Sequence, residues 1–224
     1  MKSNNVLFSI IVPVYNTEKY ILKCLESIKN AMKEDCEVII VNDGSTDNSE
    51  QIVKDFIEKL PIEYKSKFIY KFKKNKGLAD TKNVGISLAR GQYISVIDSD
   101  DYISDDFYDV ARRLIKEGHE IIIYDLYVIF ENKSNKELKN YIGRAFNDCK
   151  DNFKTSMLSG AMQGSSCNKI IKKDLYKPYE FPTNKEYEDT AVTPFILMDT
   201  EKIKYVPYPM YYYLQREKSI VATN

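Results

Sequence analysis

Short apolar runs alternate with amphipathic segments through the first half of the chain. Residues 10–12 are apolar without alternation, which is typical of a strand covered on both faces, whereas Ile21, Leu25 and Ile28 recur at helical spacing. The predicted strands are 8–14, 37–41, 68–72 and 93–97, and the predicted helices are 20–32, 49–60, 78–89 and 107–116. This alternation predicts right-handed crossovers and an α/β fold with a mostly parallel central sheet and helices on both faces.

The pattern changes after about Gly118, where strands and helices no longer alternate regularly. The second half is predicted to be mixed α+β: a strand pair at 120–130 and 137–141, helices near 153–158 and 187–198, and short strands near 203–206 and 211–214. No repeat, low-complexity tract or Pro/Gly-rich linker interrupts the 224 residues. We therefore expect a single domain over 1–224, with one half up to about residue 118 and the other from about 119.

Composition excludes several classes of protein. The formal net charge is zero, with 33 basic and 33 acidic residues, and the basic residues are spread along the chain instead of forming the stripe of a nucleic-acid binder. The densest basic stretch, 71–76, is interpreted as a solvated strand end, with a phosphate contact as the alternative.

The cysteines and the N-terminal segment indicate the compartment. Cys24, Cys36, Cys149 and Cys167 are widely separated and lack Cys-x-x-Cys spacing, which argues against a zinc site and a disulfide framework. The apolar segment before Pro13 is only about eight residues long, too short for a signal-peptide core or a membrane-spanning helix. We therefore expect a cytoplasmic protein.

Polar clusters follow the predicted strands at their carboxyl ends. Residues 13–16 follow the first strand, 42–47 the second, 75–78 the third and 98–101 the fourth. Ligands of a parallel sheet bind in the crevice at these ends. Four loops that are distant in the chain are therefore expected to line one site.

The last of these loops contains three carboxylates within four residues, Asp98, Asp100 and Asp101. Carboxylates repel one another unless a cation joins them. Mg²⁺ typically takes one or two protein carboxylates and completes its shell with water and substrate phosphates, so the loop indicates a metal that holds a diphosphate. Ordinary turn chemistry is an equal alternative, with the acids ending the strand and capping a helix that begins near Ser104.

Several motifs in a fixed order carry a family resemblance. They are Ser-Ile-Ile-Val-Pro-Val-Tyr-Asn at 9–16, Asn-Asp-Gly-Ser-Thr-Asp at 42–47, Asn-Lys-Gly-Leu at 75–78, Asn-Val-Gly at 83–85, Asp-Ser-Asp-Asp at 98–101, Asn-Lys at 168–169, Phe-Pro at 181–182, Tyr-Glu-Asp-Thr at 187–190, three tyrosines at 211–213 and Ser-Ile at 219–220. Over residues 7–221 the chain resembles the family-two glycosyltransferases, which are inverting nucleotide-sugar enzymes with the A-type fold. It is most similar to those of bacterial surface polysaccharide synthesis.

The resemblance implies a Rossmann-like A-type fold with a nucleotide-sugar-binding half and an acceptor half. It implies that the Asp43 carboxylate accepts the uracil ring N–H and that Asp98 contacts ribose or sugar hydroxyls. Asp100 would ligate Mn²⁺ or Mg²⁺, and Asp189 would be the catalytic base. The remaining implied residues are Pro13, Tyr15, Asn16, Glu18, Gly77, Lys82, Asn83 and Ser99 at the nucleotide sugar, with Glu188 and Arg216 on the acceptor side.

The implied reaction transfers a sugar from a UDP-sugar to a glycan or lipid-linked acceptor by a single displacement at the anomeric carbon. A metal offsets charge on the departing diphosphate, and a base takes the proton of the acceptor hydroxyl. Asp189 suits that role, because it is predicted in the first turn of a helix, whose dipole favours an ionised acid. Without the resemblance, Asp189 and Glu188 would be interpreted as ordinary helix-start acids.

Three features depart from the family pattern. Thr81 and Lys82 stand where relatives commonly have Ala-Arg, so the cation lacks a bidentate fork. Leu214 stands where an arginine is common, which leaves Arg216 as the nearest cation. The sequence stops at Asn224, whereas many relatives continue with C-terminal helices. Peripheral membrane association at the inner face of the membrane, through parts absent from these residues, and a homodimer are kept as expectations.

Three other classes of protein fit part of the pattern. A metal-dependent nucleotidyltransferase or sugar-nucleotide hydrolase would carry a Gly-rich, basic loop near its first strand, where this chain has the acidic segment 13–18. A phosphate-acceptor signalling domain expects its acids after the first and third strands instead of the second and fourth. A non-catalytic nucleotide- or glycan-binding module is distinguished only by its lack of turnover.

Overall fold

The computed structural model describes residues 6–131, 136–139, 164–183 and 185–216 of the chain. The elements of the first half are β1 (Phe8–Val14), α1 (Ile21–Ala31), β2 (Cys36–Asn42), α2 (Ser49–Lys59), α3 (Ile62–Lys65), β3 (Phe68–Phe72), α4 (Leu78–Leu88), β4 (Tyr93–Val96), β5 (Tyr102–Ile103) and α5 (Phe107–Lys116). Those of the second half are β6 (Ile121–Phe130), β7 (Lys136–Lys139), β8 (Lys169–Lys172), two 3₁₀ turns (Lys173–Tyr176 and Glu188–Ala191), α6 (Thr193–Met198) and β9 (Ile203–Gln215).

The strands of both halves join one mixed sheet. Within the described ranges the strand order is β3-β2-β1-β4-β8-β6-β9-β5, and β7 also pairs with β6. The first four strands in this order are parallel, whereas β8 is antiparallel to both of its neighbours. β6 and β9 are parallel, and β5 is antiparallel to β9. This confirms the α/β fold class with a mixed second half.

The apolar residues of β1 alternate between two hydrophobic cores, one on each face of the sheet. Ile10 and Val12 pack in a core that contains Leu25 of α1 and Phe107 of α5. Ile11 packs in the other core, with residues of α4 and α6. All five of these side chains are fully buried. Cover on both faces explains why residues 10–12 are apolar without alternation.

The helix predicted over 187–198 is wrong as a single element. Tyr187 adopts a left-handed backbone conformation with a φ of 56°, and only a 3₁₀ turn follows it. Val192, with a φ of −122°, then separates this turn from the six-residue helix α6. Asp189 therefore lies in a short turn and not at the start of a regular helix, so the helix-dipole argument for its ionised form does not apply.

The two short strands predicted near 203–206 and 211–214 are also wrong as separate elements. They belong to the single strand β9, which pairs in parallel with all ten residues of β6. Register shifts on either side of Asp125 let β9 pass Pro207 and Pro209 without a break. The pair of β6 and β7 is confirmed, whereas residues 140–141 and the helix predicted near 153–158 lie outside the described residues.

The parallel part of the sheet brings the ends of β1, β2 and β4 to one edge, where the polar loops follow. In the register of β1 and β2, the last residues Val14 and Asn42 lie opposite each other. The convergence of the loops after β1, β2 and β4 therefore follows from strand pairing. In the part of the chain that the structure describes, no helix is both long and apolar enough to cross a bilayer.

The loop after β4 is anchored to β9 through Asp101, which is almost fully buried. Asp101 Oδ2 accepts a hydrogen bond from the Tyr211 hydroxyl at 2.6 Å, and its Oδ1 accepts the Leu214 N–H at 2.7 Å. The Tyr211 hydroxyl also accepts the Asp98 N–H at 3.1 Å. The last strand of the described chain thus holds the acid-rich loop in place.

We expect Tyr211→Phe to lower the free energy of unfolding by about 1–3 kcal/mol, because it leaves the buried Asp101 carboxylate short of one hydrogen-bond donor. Urea denaturation measures this loss. Tyr64→Phe, which removes a hydroxyl from a half-buried ring away from this loop, is the control. Equal stability of the Tyr211 variant and wild type would contradict the anchoring role.

Candidate active site

Two side chains predicted at the nucleotide sugar hold the loops after β1 and β2 together. The Asn16 amide oxygen accepts the Thr46 N–H at 2.8 Å, and the Asn16 N–H donates to Ser45 Oγ at 3.1 Å. Glu18 Oε2 accepts the Asn48 N–H at 2.9 Å. Asn16 and Glu18 therefore fix the loop after β1 against the loop after β2, and direct contact with a nucleotide sugar stays a prediction.

Pro13 and Tyr15, predicted to frame the base, differ in accessibility. Pro13 is buried in β1 opposite Val41 of β2. Tyr15 is 49% exposed just beyond the end of the strand. An exposed aromatic ring can stack on a flat base. The structure thus leaves Tyr15 accessible for the predicted contact, while Pro13 is buried in the sheet.

Asp43 holds the loop that leads into α4. Its Oδ1 accepts the Lys76 N–H at 2.9 Å, and its Oδ2 accepts the Gly77 N–H at 2.8 Å. Gly77 has a φ of +90°, which favours glycine, and it directly precedes α4. Each carboxylate oxygen has two lone pairs, so Oδ2 retains the capacity for a second hydrogen bond, such as one from a ring N–H.

Lys73 corrects the interpretation of the basic stretch 71–76. Its ammonium forms ion pairs with Asp43 and, at 2.8 Å, with Asp80. Only 11% of the Lys73 side chain is exposed. The interpretation as a solvated strand end is wrong for this residue, because a nearly buried carboxylate such as that of Asp43 requires a counter-ion.

Arg216, whose acceptor-side role stays a prediction, lies against the acid-rich loop after β4. Its Nη2 is 2.7 Å from Asp100 Oδ2, and its guanidinium lies over the Tyr20 ring, 5.3 Å from the centroid. Burial raises the pKa of the Asp100 carboxyl, and the Arg216 guanidinium opposes this rise. The carboxylate predicted to ligate a metal therefore forms an ion pair with a cation of the chain itself.

Asp98 and Ser99 belong to the same loop. Burial raises the pKa of the Asp98 carboxyl to about 7; the Lys82 ammonium opposes this rise, and the Asp100 and Asp189 carboxylates add to it. Ser99 is buried beside it. The pKa of Asp98 thus depends on charges of both the acid-rich loop and the second half of the chain. The sugar contacts of Asp98 and Ser99 stay predictions.

The acid-rich loop fits one kind of metal site. Within the described ranges, no group of three or more His, Cys, Asp or Glu side chains could hold a metal ion. Mg²⁺ in phosphate sites needs only one or two carboxylates, because water and phosphate oxygens fill its other positions. Asp100, with Asp98 two positions before it, meets that requirement when a substrate supplies phosphate.

Lys82 of α4 joins the two halves of the chain. Its Nζ is 2.6 Å from Asp189 Oδ1, 2.7 Å from Glu188 Oε1 and 3.2 Å from Ser166 Oγ. Burial lowers the pKa of the Lys82 ammonium, but the Asp189, Asp98 and Glu188 carboxylates outweigh burial and raise this pKa above its ordinary value. Lys82 thus contacts Glu188 and Asp189. The family resemblance, which assigned Lys82 to the nucleotide sugar, did not predict this contact.

Asn83, the next residue of α4, also contacts the second half of the chain. Its amide group donates to the Phe181 carbonyl at 2.8 Å and accepts the Phe181 N–H at 3.0 Å. Both polar atoms of the Asn83 side chain therefore bind one backbone segment. The structure uses Asn83 to dock α4 against that segment, and its contact with a nucleotide sugar stays a prediction.

Ser166 is the residue of this cluster that sequence reasoning missed. Its N–H and Oγ donate to Asp189 Oδ2 at 2.9 and 3.0 Å. A Cβ at Gly164 would lie 3.1 Å from the Thr190 Cα, so the backbone around Ser166 passes close to the turn that carries Asp189. A serine in a loop gives no periodic or spacing signal, and only proximity in space reveals its contact.

A comparison with protein-family models matches residues 9–173 to glycosyl transferase family 2. The match covers most of the chain and includes the polar loops after β1, β2 and β4. The chain belongs to glycosyl transferase family 2. The resemblance that the motif order carries is thereby confirmed at the level of the family.

Two curated relatives match nearly the whole chain. EpsH of Bacillus subtilis (strain 168) is 32% identical over 219 residues, which are 95% of this chain and 62% of EpsH. The minor teichoic acid biosynthesis protein GgaB of the same organism is 31% identical over 225 residues, which are 96% of this chain and 24% of GgaB. The chain spans less than two thirds of the length of either relative.

Solved structures share the fold. TarS residues 1–349 of S. aureus, in complex with UDP-GlcNAc, superpose with a TM-score of 0.76 at 24% identity, covering 97% of this chain and 61% of that one. The mannosyltransferase PcManGT from Pyrobaculum calidifontis, in complex with GDP-Man and Mn²⁺, gives a TM-score of 0.66 at 17% identity, covering 94% and 57%. At these identities the likeness concerns the fold, and it confirms the predicted A-type glycosyltransferase fold.

The stability of this family 2 domain is expected to fall as pH rises, through Asp98. Its pKa is raised from 3.8 to about 7, so the folded chain binds this proton more tightly than the unfolded chain does. The resulting stabilisation is complete below about pH 4 and is lost as the pH rises through about 7.

Urea denaturation at pH 5 and pH 8 measures this effect. We expect the free energy of unfolding to fall more steeply with pH in wild type than in Asp98→Asn, whose side chain does not titrate. The Asp98 charge also raises the pKa of the Asp101 carboxyl, so its removal weakens the pH dependence in the same direction. Identical pH dependence in the two proteins would disprove the raised pKa of Asp98.

Proposed function

We propose that this domain transfers a sugar with inversion from a UDP-sugar to a hydroxyl of a glycan or lipid-linked acceptor, in the synthesis of a cell-surface polysaccharide. The position of Asp189 carries the proposal. Its carboxylate is 2.6 Å from the Lys82 ammonium, whose charge also acts on Asp98 in the acid-rich loop. The residue proposed as the base is therefore linked through Lys82 to the loop proposed to hold the metal.

A nucleotide-sugar donor is supported by the family and by the loops after β1 and β2. TarS and PcManGT, which share the fold, are bound to UDP-GlcNAc and GDP-Man. In this chain the exposed Tyr15 ring can stack on a base, and Asp43 Oδ2 can accept one more hydrogen bond. A uracil ring N–H fits that acceptor, which is why we propose UDP.

A divalent ion, Mn²⁺ or Mg²⁺, is proposed to bind through Asp100. When bound, it would offset the charge on the departing diphosphate, a contribution of about several kcal/mol. The Mn²⁺ in PcManGT supports a metal of this kind. Because Arg216 already neutralises Asp100, the guanidinium and the metal ion compete for the same carboxylate.

Asp189 is proposed to take the proton of the acceptor hydroxyl. The hydroxyl O–H bond breaks as its oxygen attacks the anomeric carbon, and the bond to the diphosphate breaks with its electron pair. A positioned base contributes about a hundred- to ten-thousandfold in rate. The Asp189 side chain is 18% exposed against 10% for Glu188, so an acceptor reaches Asp189 more readily.

The acceptor class is proposed from the relatives. GgaB is named for the biosynthesis of minor teichoic acid, a cell-surface polymer. A hydroxyl of a growing surface polymer or of its lipid-linked precursor would suit an inverting transferase. We propose that the domain acts in the cytoplasm at the inner face of the membrane; association with the membrane through other parts of the protein and a homodimer belong to the same proposal.

We expect Asp189→Asn to lower turnover by about a hundredfold or more, because an amide cannot take the acceptor proton. UDP release from a panel of UDP-sugars, with Mn²⁺ and candidate acceptors, measures turnover, and calorimetry shows whether UDP affinity is retained. Asp174→Asn, at an exposed acid that pairs with Lys177, is the matched control. A near-wild-type rate in Asp189→Asn would remove it from the base role.

The same panel distinguishes catalysis from binding alone. If wild type binds UDP but releases none above background with any sugar, acceptor or water, the non-catalytic binding module becomes the better description.

For the metal, we expect Asp100→Ala to abolish the Mn²⁺ dependence of UDP binding measured by calorimetry. Arg216→Gln should instead strengthen the binding of Mn²⁺ in the absence of UDP, because it removes the competing guanidinium. A partly exposed ion pair contributes up to about 1 kcal/mol, so Mn²⁺ affinity should rise by up to about fivefold in an electron paramagnetic resonance titration. Unchanged Mn²⁺ dependence in Asp100→Ala would contradict this metal site.

A further inference from the structure

Lys82 has its full set of hydrogen-bond partners within the protein. A lysine ammonium carries three N–H donors and no acceptor. In this structure it has three acceptors within reach, on Asp189, Glu188 and Ser166, at 2.6, 2.7 and 3.2 Å. Its side chain is only 3% exposed. No N–H of Lys82 is therefore left over for a donor phosphate while these contacts hold.

The two oxygens of Asp189 are held differently. Oδ2 accepts both the N–H and the hydroxyl of Ser166, at 2.9 and 3.0 Å, which occupies its two lone pairs. Oδ1 accepts from Lys82 at 2.6 Å, which leaves a second lone pair on this oxygen. The Ser166 hydroxyl also accepts from Lys82, so the three side chains close a ring of hydrogen bonds that fixes the carboxylate plane.

We infer that Lys82 and Ser166 are positioning residues that orient Asp189 for proton transfer, with Asp189 Oδ1 as the oxygen that receives the acceptor proton. This inference rests on the proposed function. It replaces the predicted contact of Lys82 with the nucleotide sugar by a role on the acceptor side of the reaction.

Glu188 completes the arrangement. When Asp189 Oδ1 takes the proton, its carboxylate becomes neutral and its attraction for Lys82 weakens. Glu188 Oε1, 2.7 Å from the ammonium, remains as a counter-ion for the buried charge. The cluster thus holds a balanced ion pair after the transfer, so Lys82 avoids the cost of a buried charge without a partner.

A double-mutant cycle tests the inference. We expect Lys82→Met to lower kcat by about ten- to a hundredfold, the size expected for losing a charge-assisted hydrogen bond, while UDP affinity stays within about twofold. In an Asp189→Asn background the same substitution should change kcat by less than about twofold, because Lys82 acts through Asp189. Lys172→Met, at an ion pair with Glu120, is the matched control with unchanged kcat.

A second variant keeps the test decisive if Lys82→Met fails to fold. Ser166→Ala retains the backbone N–H and the ion pairs of Lys82 with Asp189 and Glu188. We expect it to lower kcat by about three- to tenfold without weakening UDP binding. This effect should also vanish in the Asp189→Asn background.

Additive effects of Lys82→Met and Asp189→Asn would overturn the inference, as would wild-type kcat combined with a tenfold or greater loss of UDP affinity. Absence of UDP release by wild type with every acceptor would count against the proposed function instead. In that case the role of Lys82 is tested by the UDP affinity of Lys82→Met, which the inference requires to stay within about twofold of wild type.

Discussion

A carboxylate removed from water needs a counter-ion or hydrogen-bond donors, and this requirement organises the loops at the carboxyl ends of the strands. Asp43 is held by the Lys73 ammonium and by backbone N–H groups at the start of α4. Asp101 is held by Tyr211 and by the backbone of β9. Each contact joins a loop of the first half to another segment, so moving a loop while its acid stays buried would leave that acid without a partner.

The two cations that meet the proposed metal and base residues differ in how firmly they are held. Lys82 is almost fully buried and has three acceptors. The Arg216 side chain is 30% exposed and contacts Asp100 in the loop after β4. An exposed ion pair is weak, whereas breaking a buried one is costly. Arg216 can therefore yield Asp100 to another cation, while Lys82 stays with Asp189.

The sequence-based predictions succeeded where a local pattern sets the structure and failed where pairing between distant segments sets it. The strands and helices of the first half were predictable because burial on both faces of a parallel sheet leaves a local pattern, as at residues 10–12. The second half was predicted less well, since β9 passes Pro207 and Pro209 only because β6 supplies a shifted register. The two prolines disfavour a continuous strand, and the pairing of β9 with β6 outweighs that preference.

The amino-acid sequence by itself determined the family, the parallel half of the sheet and the polar loops at the carboxyl ends of its strands, because motif order and hydrophobic period are properties of the chain. Only the tertiary structure decided which charges pair. Lys82 and Asp189 are 107 positions apart, and nothing in their spacing links them. They meet because the second half docks against α4, where removal of both side chains from water makes the ion pair necessary.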